Sequence, residues 1–171
     1  QKASIGLFWT DEVSTPAPTE TEKRESAFVG RTETLLHLED TLSKGTRCLT
    51  LIGPGGFGKT RTVRKLLERE ALKDLYPGGM VFCDLVNCQS GSELVERVAQ
   101  SLQLRLGGGS NLEELVAQVG SALALRPRNL ILLDNFEHLV EYGSDTVAKW
   151  VRLAGNTQFM GTSRRRLGPS T

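Results

Sequence analysis

Long apolar runs are missing from this chain, and so is any stretch laid out like a secretion signal. Neither a membrane-spanning helix nor a secretory route is expected. An excess of one charge is missing too: 21 Lys and Arg against 20 Asp and Glu leave a net charge of +1. That is too little to draw a protein toward nucleic acid or an anionic membrane. The nearest thing to a basic patch, Arg164-Arg165-Arg166, reads as a solvated turn. Without a basic stripe interleaved with aromatics, a nucleic-acid motor comes last among the expectations. Cysteine is scarce, and Cys48, Cys83 and Cys88 lack metal-ligand spacing. Cys48 and Cys83 fall in apolar strand-like runs, where a free thiol behaves as a small hydrophobe, so a reducing cytoplasm is expected. The sequence has no Cys-x-x-Cys, no Gly-x-Ser-x-Gly and no catalytic Cys–His arrangement. His37 and His138 each stand on an expected helix without a second ligand nearby, which suits a core or surface role.

What is present is an ordinary globular composition, 39% apolar and 24% charged over 171 residues, one domain's worth of chain. Because it begins with Gln rather than Met, the chain is expected to be a piece of something larger. Its most informative segment is Gly53-Pro54-Gly55-Gly56-Phe57-Gly58-Lys59-Thr60, a complete G-x-x-x-x-G-K-[ST] phosphate-binding loop. The apolar run 48–52 before it reads as a strand. Val63, Leu66, Leu67 and Ala71 after it recur at helical spacing. A strand feeding a glycine-rich turn into a helix N-terminus leaves unpaired N–H groups and the positive end of the helix dipole aimed at one spot. Lys59 is expected to reach the β- and γ-phosphates of a nucleotide, and the Thr60 hydroxyl to bind Mg²⁺. A nucleoside triphosphate or diphosphate is therefore the expected ligand.

Residues 10–27 are polar, carry two prolines and lack apolar periodicity, and read as a linker. Residues 1–27 are accordingly expected to be a flexible linker or the tail of an upstream domain, and 28–171 the folded core. Leu35, Leu38 and Leu42 share a helical face that Gly45 ends. A helix is expected from about 59 to 72, a strand over Met80–Val86, and helices opened by Ser90 with Glu93 and by Asn111 with Glu114. Leu130–Leu133 reads as a fully apolar strand ending in Asp134, residues 136–154 as one long helix, and Gln158–Thr162 as a further strand. Apolar strands alternating with helices predict an α/β fold with three layers: a mainly parallel sheet of about four strands covered by helices on both faces.

Asp134 would stand at the carboxyl edge of that sheet, where such folds bind ligands, and its carboxylate suits a hard cation held with the phosphates. The next residue is Asn135, whose amide takes no proton from a water, so slow hydrolysis or none is expected. Glu137 is close enough to supply a base, or is a first-turn helix acid favoured by the dipole. Arg164 follows the last strand. It either reads a γ-phosphate or faces solvent in a basic turn.

Four segments together resemble the STAND class of P-loop NTPases, the signal-transducing relatives of AAA+ ATPases. They are Phe28-Val29-Gly30-Arg31 with Glu33, then Leu51 through Arg61, Leu132 through Leu139, and Gly161-Thr162-Ser163-Arg164 with Leu167-Gly168. The chain looks most like the nucleotide-binding core of large bacterial LuxR- and AfsR-type regulators. The resemblance implies that Val29, Gly30 and Arg31 lie by the adenine and ribose. Gly53, Gly55, Gly56, Phe57, Gly58, Lys59, Thr60 and Arg61 would hold the phosphates, with Mg²⁺ on Thr60 and Asp134. Lys59, Asp134, Glu137 and Arg164 would be the reactive set, Arg164 sensing the γ-phosphate. It further implies a Mg-ATP/ADP switch acting through other domains of the same parent chain, without direct nucleic-acid or membrane contact.

In that family a fifth strand, a helical domain and a winged helix follow the sensor arginine. Their absence here would leave the loop strand as an exposed edge open to self-association. The competing expectations are an active NTPase or phosphotransferase using Glu137, and an interaction fragment that binds no nucleotide.

Overall fold

Strand β2 (Cys48–Ile52) is apolar on both faces because it is covered on both: Leu49 and Leu51 pack to one side and Cys48 to the other. In this computed structural model, which describes residues 11–14, 31–108 and 111–164, every strand behaves the same way where side chains are described. Along β4 (Asn129–Asp134), Leu130 and Leu132 join one apolar cluster while Ile131 and Leu133 join another. Successive side chains on a strand point to opposite faces, so one apolar run serves two cores.

The sheet contains β1 (Asp11–Ser14), β2, β3 (Met80–Asp84), β4 and β5 (Thr157–Ser163) in the order β1-β2-β5-β4-β3, with all neighbours parallel. One face carries α1 (Thr32–Ser43), α2 (Lys59–Leu67) and α3 (Glu70–Leu75), whose Leu35, Leu38, Leu42, Val63, Leu66 and Leu72 are buried against it. The other carries α4 (Gly91–Ser101), α5 (Leu112–Ala124) and α6 (Val147–Leu153), with Trp150 stacked on Phe159 at 6.3 Å. The fold is the expected three-layer α/β core.

Both expected helix caps form. The Ser90 side chain accepts from Glu93 N at 3.2 Å while Glu93 Oε2 accepts from Gln89 N, and Asn111 Oδ1 accepts from Glu114 N at 3.0 Å. Each satisfies amides that the first helical turn leaves open. Cys48, Cys83 and Cys88 are free and buried. Burial pushes the Cys48 thiol up to about 12 and the Cys83 thiol up to about 11, which suits packing rather than reactivity. Among the described residues, no helix is long and apolar enough to cross a membrane.

Four expectations need correction. The helix expected from 59 to 72 breaks after Leu67: Arg69 is extended and donates twice to Glu39 of α1, and the chain restarts as α3. The long helix expected over 136–154 is instead two 3₁₀ turns, Phe136–His138 and Val140–Tyr142, followed by α6. There Leu139 (φ −109°, ψ 8°) and Thr146 (φ −121°, ψ −87°) leave the helical path, while Phe136, Leu139, Val147 and Trp150 still reach the core. Strand β3 stops at Asp84, whose Oδ1 accepts from Val86 N and turns the chain away from the sheet.

The fourth concerns residues 11–14, which lie inside the stretch read as linker. Their backbone pairs with β2 from Asp11↔Leu49 to Ser14↔Ile52. The loop strand is therefore not an edge, and β1 occupies the side on which the sequence reading left it open for self-association.

Leu132 is fully buried at the centre of the sheet and Leu125 is 88% exposed. Leu132→Ala should cost about 2–5 kcal/mol in urea unfolding, whereas Leu125→Ala should stay within about 0.5 kcal/mol. Equal effects would contradict the placement of the core.

Candidate functional site

The loop between β2 and α2 turns on two glycines in left-handed geometry, Gly56 at φ 79° and Gly58 at φ 69°. Side chains with a Cβ adopt that conformation at a cost, so the motif's glycines have a conformational reason here. The loop's base is fastened by Gly53 N donating to Ser163 O at the end of β5. Its far end runs into α2, where Thr62 N donates to Gly58 O at 2.8 Å. Gly58 is the residue before the first helical turn and has no side-chain cap, so the leading amides of α2 have no partner from a capping side chain.

Lys59 is buried, and its amino group donates to the loop's own carbonyls, Gly53 O at 2.6 Å and Pro54 O at 3.0 Å. Burial pulls its pKa below the usual lysine value, and the nearby Glu137 carboxylate pulls in the opposite direction. Thr60 Oγ1 donates to Asp134 Oδ2 at 2.7 Å across the site. Asp134 is 1% exposed, and its other oxygen accepts from the Thr162 hydroxyl on β5. Thr162 Oγ1 in turn accepts from Asn135 N at 3.0 Å. The Asn135 amide nitrogen lies 3.4 Å from Asp134 Oδ2 and 3.5 Å from Asp84 Oδ1, so the position after Asp134 holds a donor among carboxylates.

Arg164 leaves the end of β5 and places Nε 3.1 Å from Glu137 Oε1. Its guanidinium overhangs the loop: a Cβ on Gly55 would lie 3.8 Å from Arg164 Cζ. Thus Lys59, Thr60, Asp134, Glu137 and Arg164, drawn from three segments of the sequence, come together at the carboxyl edge of the sheet. Arg61 is exposed on the first turn of α2. Arg31 reaches the loop, where it donates to Phe57 O and, at 2.7 Å, to Thr62 Oγ1. Val29 and Gly30, expected beside it, lie outside the described residues, as do Leu167 and Gly168. His138 is a strut rather than a site residue: its Nε2 lies 3.1 Å from Leu85 O and 2.8 Å from Cys88 O. His37 is exposed on α1.

Three contributors escape the sequence reading. Thr162 as the second partner of Asp134 and Asp84 as a neighbour of Asn135 both follow only from the strand order. Thr62 as the seat of Arg31 stands one turn into α2 from the loop, and nothing in the motif marks it.

Residues 30–165 match the family model described as AAA domain. The chain belongs to the AAA domain family. Relatives include a protein of Mycobacterium bovis named as an HTH-type transcriptional regulator, 28% identical over 123 residues, and proteins of the same description from Mycobacterium tuberculosis. The match covers 71% of this chain and 13% of those proteins, so the AAA domain seen here corresponds to a small part of their length.

Among solved structures, the ORC1 protein of Aeropyrum pernix in complex with DNA superposes with a TM-score of 0.65 at 21% identity, over 80% of this chain and 39% of that one. Cdc6p from Pyrobaculum aerophilum superposes at 0.61 and 20% identity, over 87% and 42%. At these identities the likeness is one of fold.

In this AAA domain the buried Asp134 depends on two hydroxyls. Thr162→Val removes one and also strips Asn135 N of its acceptor, so urea unfolding should show a loss of about 1–3 kcal/mol. Thr162→Ser should recover most of it. A Val variant as stable as the parent would contradict the arrangement.

Proposed function

We propose that this AAA domain binds Mg-ATP and Mg-ADP and serves as a regulatory switch module of a multidomain signalling or transcription-regulating protein, with slow or no hydrolysis. The observation that carries the reading is the direct contact between Thr60 of the loop and the buried Asp134 of β4. A hydroxyl and a carboxylate held 2.7 Å apart beside a phosphate loop form a hard oxygen donor set that fits Mg²⁺ shared with phosphate oxygens. Gly55, Gly56 and Gly58 would hold the phosphates through backbone N–H groups, Gly53 and Phe57 shaping the loop through their bonds to Ser163 O and Pro54 O, with Lys59 as the cation among them and Arg61 at their margin. Mg²⁺ would supply charge neutralisation there.

Two features support weak hydrolysis. Asn135 stands where a proton acceptor would be useful, and Glu137 is engaged by Arg164. The STAND-class reading, with Arg164 as phosphate sensor and Val29, Gly30 and Arg31 on the adenine side, is part of the same proposal. For Arg31 the supporting contact is with the loop, which puts its guanidinium within reach of whatever the loop holds. A cytoplasmic location, action through other domains of a parent chain, and no direct nucleic-acid or membrane contact complete it. The description of the mycobacterial relatives as transcriptional regulators supports the regulatory part.

Titration calorimetry with Mg-ADP and Mg-ATP tests the reading. Micromolar or tighter binding is expected, lost in Lys59→Ala and freed of its Mg²⁺ dependence in Asp134→Ala. Unchanged affinity in the lysine variant would overturn it. Phosphate release above about one per second, the low end for enzymes, would replace it with an active NTPase.

A further inference from the structure

One ion pair, between Glu137 and Arg164, lies beside the glycine-rich loop. Glu137 comes from the turn after β4 and Arg164 from the end of β5, and they meet at 3.1 Å. The two partners are unequally fixed. Glu137 has a side chain 16% exposed and stands between Phe136 and Leu139, both fully buried, whereas the Arg164 side chain is 67% exposed. The carboxylate is thus the anchored member and the guanidinium the one able to turn. The same carboxylate acts on the charge of the Lys59 amine, so its field reaches the loop.

Resting on the nucleotide-binding reading above, we propose that Glu137 is a specificity-determining residue: it competes with the terminal phosphate of a nucleoside triphosphate for Arg164 and so biases the site toward the diphosphate. A guanidinium already hydrogen-bonded to a carboxylate must give up that contact, or share it, to meet a phosphate. With a diphosphate in the loop, Arg164 keeps its place on Glu137. With a triphosphate, Arg164 turns inward, and Glu137 is left facing added negative charge. Both effects weigh on the triphosphate alone, which is the differential affinity a two-state switch requires. Glu137 therefore has a role independent of proton abstraction. Asn135 takes no part in it, since its amide is directed to Asp134 and Asp84.

Glu137→Gln keeps the shape and removes the charge. Calorimetry on the full chain with Mg-ATP and Mg-ADP should show ATP binding tightened about fivefold, the upper range for an exposed ion pair, with ADP affinity changed by less than about twofold. In an Arg164→Gln background the same substitution should tighten ATP binding by less than about twofold, because the competed group is gone and only the screened repulsion between Glu137 and the added charge remains. Weaker ATP binding in Glu137→Gln would overturn the proposal and make Glu137 a support for Arg164. Equal shifts for both nucleotides would overturn it as well, since a loosened fold does not discriminate. If the parent chain takes up neither nucleotide, the binding reading itself fails, and that result is separate from any effect of the variant.

Discussion

A carboxylate taken out of water is costly to keep unless hydrogen bonds replace the lost hydration, and Asp134 is almost fully buried. Two threonines supply those bonds, one from the first turn of α2 and one from β5. This requirement ties three parts of the molecule to one atom group: the end of the glycine-rich loop through Thr60, β4 through Asp134, and the central strand β5 through Thr162. Arg164 begins two residues beyond Thr162, and Glu137 three beyond Asp134. Glu137 and Arg164 thus both lie close in sequence to members of the network that satisfies that one carboxylate.

The loop is held from a second side. Arg31 bridges Phe57 O and Thr62, so the segment entering α1 is fastened to both ends of the turn that Gly58 makes. Lys59 fills the concavity with its own amine against Gly53 O and Pro54 O. A phosphate offers that amine a stronger, charged acceptor than two carbonyls do. The cations Lys59 and Arg164 rest on internal acceptors, the loop carbonyls for one and Glu137 for the other, and on the proposed reading they exchange them for a nucleotide's oxygens.

Much of this was legible in the sequence, where the determinants are local. The glycine-rich loop, the all-apolar run from Leu130 to Leu133 and the caps at Ser90 and Asn111 each encode their structure within a few residues. What escaped depends on distant partners or on a period that does not discriminate. The segment Asp11–Ser14 has no apolar run, and its pairing exists because β2 offers a free side. The spacing of Phe136, Leu139 and Val147 fits an α-helix as well as two 3₁₀ turns, and only the backbone at Leu139 and Thr146, which leaves the helical region, separates them. Thr162 and Asp84 became visible only once β4 was seated between β5 and β3.

The central claim is that this AAA domain holds an adenine nucleotide in the loop it shares with Asp134. The most direct measurement is to denature freshly purified, folded protein and identify what it releases by chromatography and mass spectrometry. The account predicts an adenine nucleotide, with ADP at close to one per chain. Folded protein that releases none, and that takes up none after incubation with millimolar Mg-ADP or Mg-ATP, would contradict it.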